Sequence, residues 1–361
     1  MCLRFLKCIA AIITLASLLP GTHAAGLSAR AQSRSIVFGR VTDAESGAPL
    51  ENVNVFLSST TIGTATGPKG TYRLTNIPIG VFQLVCSRVG HSLESTPLNV
   101  LKPETLRVDF ALTTRTLQRD EIEVVARDPG EWKRLLPYFT HAFLGETDNA
   151  DQCTILNPEV VDLQMNPGNT FLRASTDSVV RINNHALGYR VYARIGMFEW
   201  NTAEDVGKYL LYTRFEPLPG RSSAELQAWE ENRTKTYLGS LRHFLASLVA
   251  GTLEREGFAF HWGSLATLKE GSYAPPEPED FVLARVPGQS VFKISFKKWL
   301  RVEFRGERMK TTSFLTLKNE YAIVDAAGNL VDPSCVSIFG HWAQSRVADL
   351  LPFSSPENFN E

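Results

Sequence analysis

Ile36-Val37-Phe38-Gly39-Arg40-Val41, closed by the turn residues Asp43 to Pro49 and followed by Val53-Asn54-Val55-Phe56-Leu57, is the stretch on which the fold turns. The first run is rich in β-branched and aromatic side chains. In the second, Val53, Val55 and Leu57 alternate with Asn54 and Phe56, the two-residue period of a strand with one buried face. Working outward, Tyr72-Arg73-Leu74 follows a turn at Gly67-Pro68-Lys69-Gly70, and Val81 to Cys86 follows Ile77-Pro78-Ile79-Gly80. Leu106 to Leu112 closes the series. Short strands spaced by Gly/Pro turns predict an antiparallel β-sandwich over residues 35–113.

The segments Gly39-Arg40-Val41-Thr42-Asp43, Gly47-Ala48-Pro49-Leu50, Val53-Asn54-Val55, Gly63-Thr64-Ala65-Thr66, Gly70-Thr71-Tyr72, Ile77-Pro78-Ile79-Gly80 and Val89-Gly90 stand in the order found in carboxypeptidase-regulatory-like domains, and the segment resembles that family. Gly67 replaces the usual acidic residue after Thr66, and His91 replaces the usual Tyr after Val89-Gly90. Both changes fall in turns. The resemblance implies a transthyretin-like sandwich, an accessory rather than catalytic module of exported bacterial proteins, also found in front of outer-membrane nutrient receptors. His91-Ser92-Leu93-Glu94 has the H-x-x-E spacing of zinc carboxypeptidases, but it lies inside the sandwich rather than in a catalytic domain. The chain beyond the sandwich lacks the repeated ~10-residue alternating segments of a large barrel, so a partner of such a receptor is the form that analogy takes.

Residues 114–130 read as a linker carrying one more strand at 118–126, and 131–270 as an α+β domain. Its first helix runs from Glu131 to Leu144 and is interrupted at Pro137. Strands are expected over 158–216, with a turn at Asn183-Asn184. A single long helix is predicted near 222–257, opened by the capping box Ser222-x-x-Glu225 and stopped at Gly257. At ~100° per residue, Leu226, Trp229, Arg233, Tyr237, Ser240 and Phe244 form a stripe, widened by Leu241, Leu245 and Leu248.

Arg233 stands inside this apolar stripe. A buried guanidinium needs a carboxylate or several carbonyls. In the functional reading, Arg233 binds an anionic group while Tyr237 or His243 serves as acid or base, with Ser240 and His243 on the same flank. In the structural reading, the arginine pins the helix to a neighbouring strand. Cys153 is a second candidate, a nucleophile that would need His141, His185 or His243 as base, against its ordinary role as a small buried hydrophobe. The patterns around Gly145 to Asn149, Cys153 to Pro158, Asn184 to Tyr189 and Arg233 to Ser240 resemble exported bacterial envelope proteins with the same front domain, which implies a shared architecture and no activity.

After the linker Pro275-Pro276-Glu277-Pro278, residues 279–361 read as a β-rich subdomain. Its strands are Val291 to Phe296, Leu300 to Phe304, Phe314 to Leu317 and Tyr321 to Val324, with a hairpin turn at 325–329 and a closing helix over His341 to Leu351. The fold class is therefore mainly β with an α+β C-terminal region.

The remaining signals bound function. Arg4 and Lys7 precede an apolar run from Ile9 to Leu19 that is too short to span a bilayer, so residues 1–31 read as a secretion signal. Mixed charges summing to -1 give no basic face for nucleic acid. Beyond the signal, three cysteines remain, Cys86, Cys153 and Cys335, too few and odd in number for a disulfide framework. No metal or cofactor motif is recognised. The expectation is an exported protein of the periplasm or outer surface. Its lead role is binding or structural, with a glycan, peptide or envelope protein as partner and Trp200, Trp262 and Trp299 as loose candidates for an apolar binding surface. The alternatives are a hydrolase or transferase with its site on the 222–257 helix, and an accessory to nutrient-uptake receptors.

Overall fold

The computed structural model describes residues 34–114, 129–263, 281–306 and 309–353. The signal at 1–31, the strand at 118–126 and the linker at 275–278 lie outside the described residues.

Eight strands build the front segment: β1 (Ser35–Asp43), β2 (Asn54–Leu57), β3 (Gly63–Ala65), β4 (Thr71–Ile77), β5 (Gly80–Ser87), β6 (Glu94–Val100), β7 (Thr105–Arg107) and β8 (Phe110–Leu112). One sheet centres on β1, antiparallel to β4 and parallel first to β7 and then to β8. The other runs β3-β2-β5-β6, antiparallel throughout. The alternation read from sequence puts Val37 and Val41 of β1 and Tyr72 and Leu74 of β4 against Val55, Leu57, Leu84, Cys86 and Leu98 in one dry core. The predicted strand from Leu106 to Leu112 is two strands. The Tyr72 hydroxyl donates to the Val108 carbonyl at 2.6 Å, and Asp109 Oδ1 accepts the Arg40 N–H at 2.8 Å, so the chain steps out of the ladder between them. Gly39 is required at this step because a Cβ there would stand 1.7 Å from the Val108 carbonyl oxygen.

The middle segment opens with α1 (Pro129–Leu144), which continues through Pro137. Pro137 lies on the exposed side of the helix, so the hydrogen bond it withholds falls toward water. A six-stranded sheet comes next, made of β9 (Cys153–Ile155), β10 (Asp162–Met165), β11 (Phe171–Ser175), β12 (Val180–Asn184), β13 (Tyr189–Asn201) and β14 (Val206–Pro217). β13 is its spine. One edge pairs with β14 from Tyr189 to Asn201, while the other is shared by β12 and β11. α1 lays Leu135, Phe139 and Phe143 on this sheet, with Phe139 stacked on Phe143 at 4.8 Å and edge-on to Phe198 at 5.4 Å. The predicted turn at Asn183-Asn184 falls slightly later. Asn184 stays in β12 because its side chain donates to the Ala348 carbonyl and accepts the Leu187 N–H.

The sandwich is joined to this sheet by loop 58–60, which runs beside β14 and pairs with it in parallel at Thr60 and Arg214. The Ser59 N–H donates to the Thr213 carbonyl at 2.6 Å, the Phe215 N–H to the Thr60 carbonyl at 2.9 Å, and the Phe353 N–H to the Ser59 carbonyl at 2.6 Å.

The helical stretch expected as one long element over 222–257 is two helices, α2 (Ser223–Tyr237) and α3 (Leu241–Ala250). Gly239 sits at φ +76 between them, and Ser240, expected in the apolar stripe, instead caps α3 by accepting the His243 N–H. Leu226 is consequently exposed, while Phe244, Leu245 and Leu248 enter a third core. That core is enclosed by β15 (Phe258–Gly263), β16 (Phe281–Arg285), β17 (Val291–Phe296), β18 (Trp299–Arg305), β19 (Lys310–Leu317), β20 (Ala322–Asp325) and β21 (Val336–Gly340), which form the sheets β15-β18-β19-β21 and β16-β17-β20. The closing helix expected over His341 to Leu351 shortens to the single turn α4 (His341–Gln344) and a 3-10 turn at Val347–Asp349. Among the described residues no helix is long and apolar enough to cross a membrane.

Candidate functional site

The polar residues singled out on the helix are divided by its break. On α2, three side chains grip three successive carbonyls of the β12–β13 turn: Trp229 Nε1 to His185 at 2.8 Å, Asn232 Nδ2 to Ala186 at 3.1 Å, and Arg233 Nε to Leu187 at 2.8 Å. The Arg233 guanidinium also lies 4.2 Å over the Tyr189 ring. Arg233 therefore meets a carbonyl and an aromatic face.

Tyr237, Ser240 and His243 do come together at the α2–α3 junction. The Tyr237 and His243 rings are 4.9 Å apart, His243 Nδ1 accepts the Gly239 N–H at 3.1 Å, and its Nε2 lies 3.6 Å from Glu256. His243 is buried against Phe258 and Phe304. Burial holds its imidazole below the ordinary value, partly offset by Glu256. The Ser240 hydroxyl is engaged as the helix cap, so the junction is packed by these three residues.

Cys153 lies on β9 opposite Asn184, and burial, aided by Asp349, pushes its thiol up to about 12. It is a protonated thiol at neutral pH. Cys86, Cys153 and Cys335 are all free. His91 Nε2 faces Asp43 at 3.8 Å, while Glu94 sits across from Cys86 in the β5–β6 ladder. Trp262 is in the third core, Trp200 in the second, and Trp299 packs edge-on to Phe339.

An open site lies elsewhere, at the seam of the sandwich. β3 and β4 are the terminal strands of their sheets, on the same side of the sandwich, so both end in unpaired edges. Between them opens a cavity of about 590 Å³. Thr61, Thr64 and Gly63 form one wall and Arg73, Thr75 and Asn76 the other, with Tyr189, Pro352 and Phe353 at the end supplied by the rest of the chain. A second cavity of about 420 Å³ continues past Thr64 and Arg73 toward Phe38 and Tyr72.

The walls are set by local constraints. The alternation of β4 turns Leu74 into the core, leaving Arg73 and Thr75 exposed. Asn76 takes φ +60, which bends the end of the strand. Thr60 is buried, donating to the Leu57 carbonyl at 2.8 Å and accepting the Ile62 N–H at 3.0 Å, and so fixes the loop that leads into β3. Tyr189 is held from behind by the Arg233 guanidinium and by the edge of Phe215 at 5.7 Å. The arginine marked by sequence thus supports the groove without lining it.

The lining holds Arg34 and Arg73 but no aspartate, glutamate, histidine or cysteine. It offers hydroxyls, an amide and guanidinium groups, which bind and orient, and no nucleophile with a base beside it. Sequence reasoning missed this groove because its lining comes from five separated segments. Only the strand alternation, which exposes Arg73 and Thr75, signalled any of it. For a metal, one group among the described residues has ligand atoms close enough to surround an ion: His141, Glu146 and Asp205.

Comparison with known proteins gives one family match. The model of the CarboxypepD_reg-like domain matches residues 37–124. No curated protein matches the chain. Among solved structures, a mutant type II cohesin–X-dockerin complex from Acetivibrio cellulolyticus is matched at 15% identity over 21% of this chain, TM-score 0.18. The match spans 52%, about half, of that chain's length. A structure described as a putative carbohydrate binding protein from Bacteroides uniformis is matched at 7% identity over 81% of this chain and 98% of that one, TM-score 0.19. Scores this low carry no argument about function.

Proposed function

With residues 37–124 forming a CarboxypepD_reg-like domain, we propose that this chain is an exported cell-envelope protein with a non-catalytic binding role, and that it captures its ligand in the seam of the sandwich. The single observation that carries the reading is the groove between β3 and β4, open, lined by hydroxyl and guanidinium groups, and lacking any carboxylate. Such a lining suits a polar ligand with hydrogen-bonding groups along its length and some negative charge, the chemistry of a glycan bearing uronic acid or sulfate groups. Export rests on the basic start and short apolar run of residues 1–31.

The test is a glycan array probed with the labelled full-length protein and with an Arg73→Ala/Thr75→Val variant. Both side chains are exposed, so the variant keeps the core intact. The expected result is retention of a subset of acidic glycans by the native protein and loss of at least tenfold in the variant. Retention of nothing, or equal retention by both, would overturn the reading.

The free edges of β3 and β4 favour one second reading, an extended peptide added as a strand. Backbone pairing would then carry the affinity, and the Arg73→Ala/Thr75→Val variant would still bind peptide.

A further inference from the structure

We propose that His141, Glu146 and Asp205 form a binding site for a divalent transition-metal ion, Zn²⁺ being the best fit. The three residues arrive from separate places. His141 is in the last turn of α1, Glu146 comes just after the chain reversal at Gly145, and Asp205 lies in the β13–β14 turn. His141 Nε2 lies 3.8 Å from Glu146 Oε1 and 3.8 Å from Asp205 Oδ1, too far for hydrogen bonds. All three ligand atoms fall within 4.8 Å of one another. Ligand atoms about 2.0–2.2 Å from a tetrahedral zinc stand roughly 3.4 Å apart, so a contraction of about 0.4 Å at His141, and of at most about 1.4 Å between the carboxylates, closes the set around an ion.

The surroundings hold these ligands in place. Gly145 has φ +104 and sits so close to residues 344–346 that a Cβ would meet the Gln344 carbonyl at 2.8 Å. Asp205 occupies φ +50, an uncommon conformation for a residue with a side chain. Its Oδ1 accepts the Trp200 indole N–H at 3.0 Å. Arg346, its side chain only 3% exposed, reaches Glu146 Oε1 at 2.8 Å and Asp205 Oδ2 at 3.1 Å, while its other nitrogens donate to the carbonyls of His141 and Ala343. Its guanidinium lies 4.2 Å over the Trp200 ring. Arg346 and Trp200 thus take one lone pair each, of Glu146 Oε1 and Asp205 Oδ1 respectively, and orient the carboxylates, leaving the second lone pair of each oxygen for an ion. Two carboxylates facing one guanidinium leave a net negative charge, which favours a cation there. The mix of one imidazole and two carboxylates suits a borderline ion such as Zn²⁺. His141 is 54% exposed, so the remaining coordination positions open to water. A bound ion would staple the end of α1, the β13–β14 turn and the 344–346 segment together.

The experiment is calorimetric titration of the full-length protein with ZnCl₂, with Co²⁺ absorption as a second readout. The native protein should bind one equivalent and develop the visible band of a mixed nitrogen–oxygen cobalt site. His141→Ala and Asp205→Asn, both at exposed side chains, should each weaken binding at least tenfold and remove the band, with unchanged circular dichroism. Absence of saturable binding, or one equivalent bound equally well by His141→Ala, would overturn the proposal. An Arg73→Ala variant should bind zinc normally, which separates this site from the groove.

Discussion

Replacing Gly239 with alanine distinguishes two accounts of the 222–257 segment by sign. Were the segment one helix, alanine at its centre would stabilise it by roughly 1 kcal/mol, the usual helix-propensity difference from glycine. In the fold, Gly239 sits at φ +76, where an L side chain costs roughly 1–2 kcal/mol. A Cβ there would also stand 2.6 Å from Phe304 Cδ1. Phe304 cannot swing aside, being buried and packed against His243 and Phe258. Overfilling such a site costs roughly 1–3 kcal/mol more. The expected loss is therefore about 2–5 kcal/mol. Gly251→Ala supplies the control: φ is +69 and nothing lies within 4 Å of the added carbon, so only the backbone part applies. Urea unfolding monitored by tryptophan fluorescence reads both variants, since Trp342 Nε1 donates to the Gly239 carbonyl at 2.7 Å and reports on the junction. A Gly239→Ala protein as stable as the native one, or no less stable than Gly251→Ala, would refute the reasoning.

Burial keeps the His243 imidazole below its ordinary value, so the unfolded chain binds its proton more readily than the fold does. The stability this contributes is present above pH ~6.5 and is lost as pH falls below it; thermal melts from pH 7.5 to 5 should show a shallower decline in His243→Gln. Arg233→Lys removes the planar group that both stacks on Tyr189 and donates to the Leu187 carbonyl, and should cost roughly 1–3 kcal/mol in urea unfolding; no change in midpoint would show that the clamp carries nothing. With Cys86 and Cys153 pushed up to about 12 and Cys335 to about 11, alkylation by iodoacetamide at pH 8 should run at least roughly a hundredfold slower in native than in unfolded protein. A fast-reacting Cys153 would revive it as a nucleophile.

The front sandwich was legible because its strands alternate and its turns are punctuated by glycine and proline. What escaped were the elements whose pairing supplies what their sequences lack. β6 contains Pro97, which an edge strand tolerates, and β3 is only Gly63-Thr64-Ala65. The helix break is written as Leu238-Gly239-Ser240, a stop glycine and then an N-cap serine, but the helical stripe draws Ser240 into a face instead. The sequence does show that Arg233 needs partners. Those partners are a turn carbonyl and a ring, neither of which a one-dimensional pattern reveals. The groove and the His141 cluster were out of reach for a plainer reason. Tyr189 is far in the chain from Thr64 and Arg73, as Asp205 is from His141 and Glu146, and strand order brings them together.

The central claim, that the sandwich seam is the ligand site, is tested most directly by hydrogen–deuterium exchange of the full-length protein with and without an acidic polysaccharide retained on the array. Slowed exchange is expected at residues 60–65 and 71–76, the two walls of the groove. Protection on the 223–250 helices or around Trp299 and Phe339, with the seam unchanged, would contradict it.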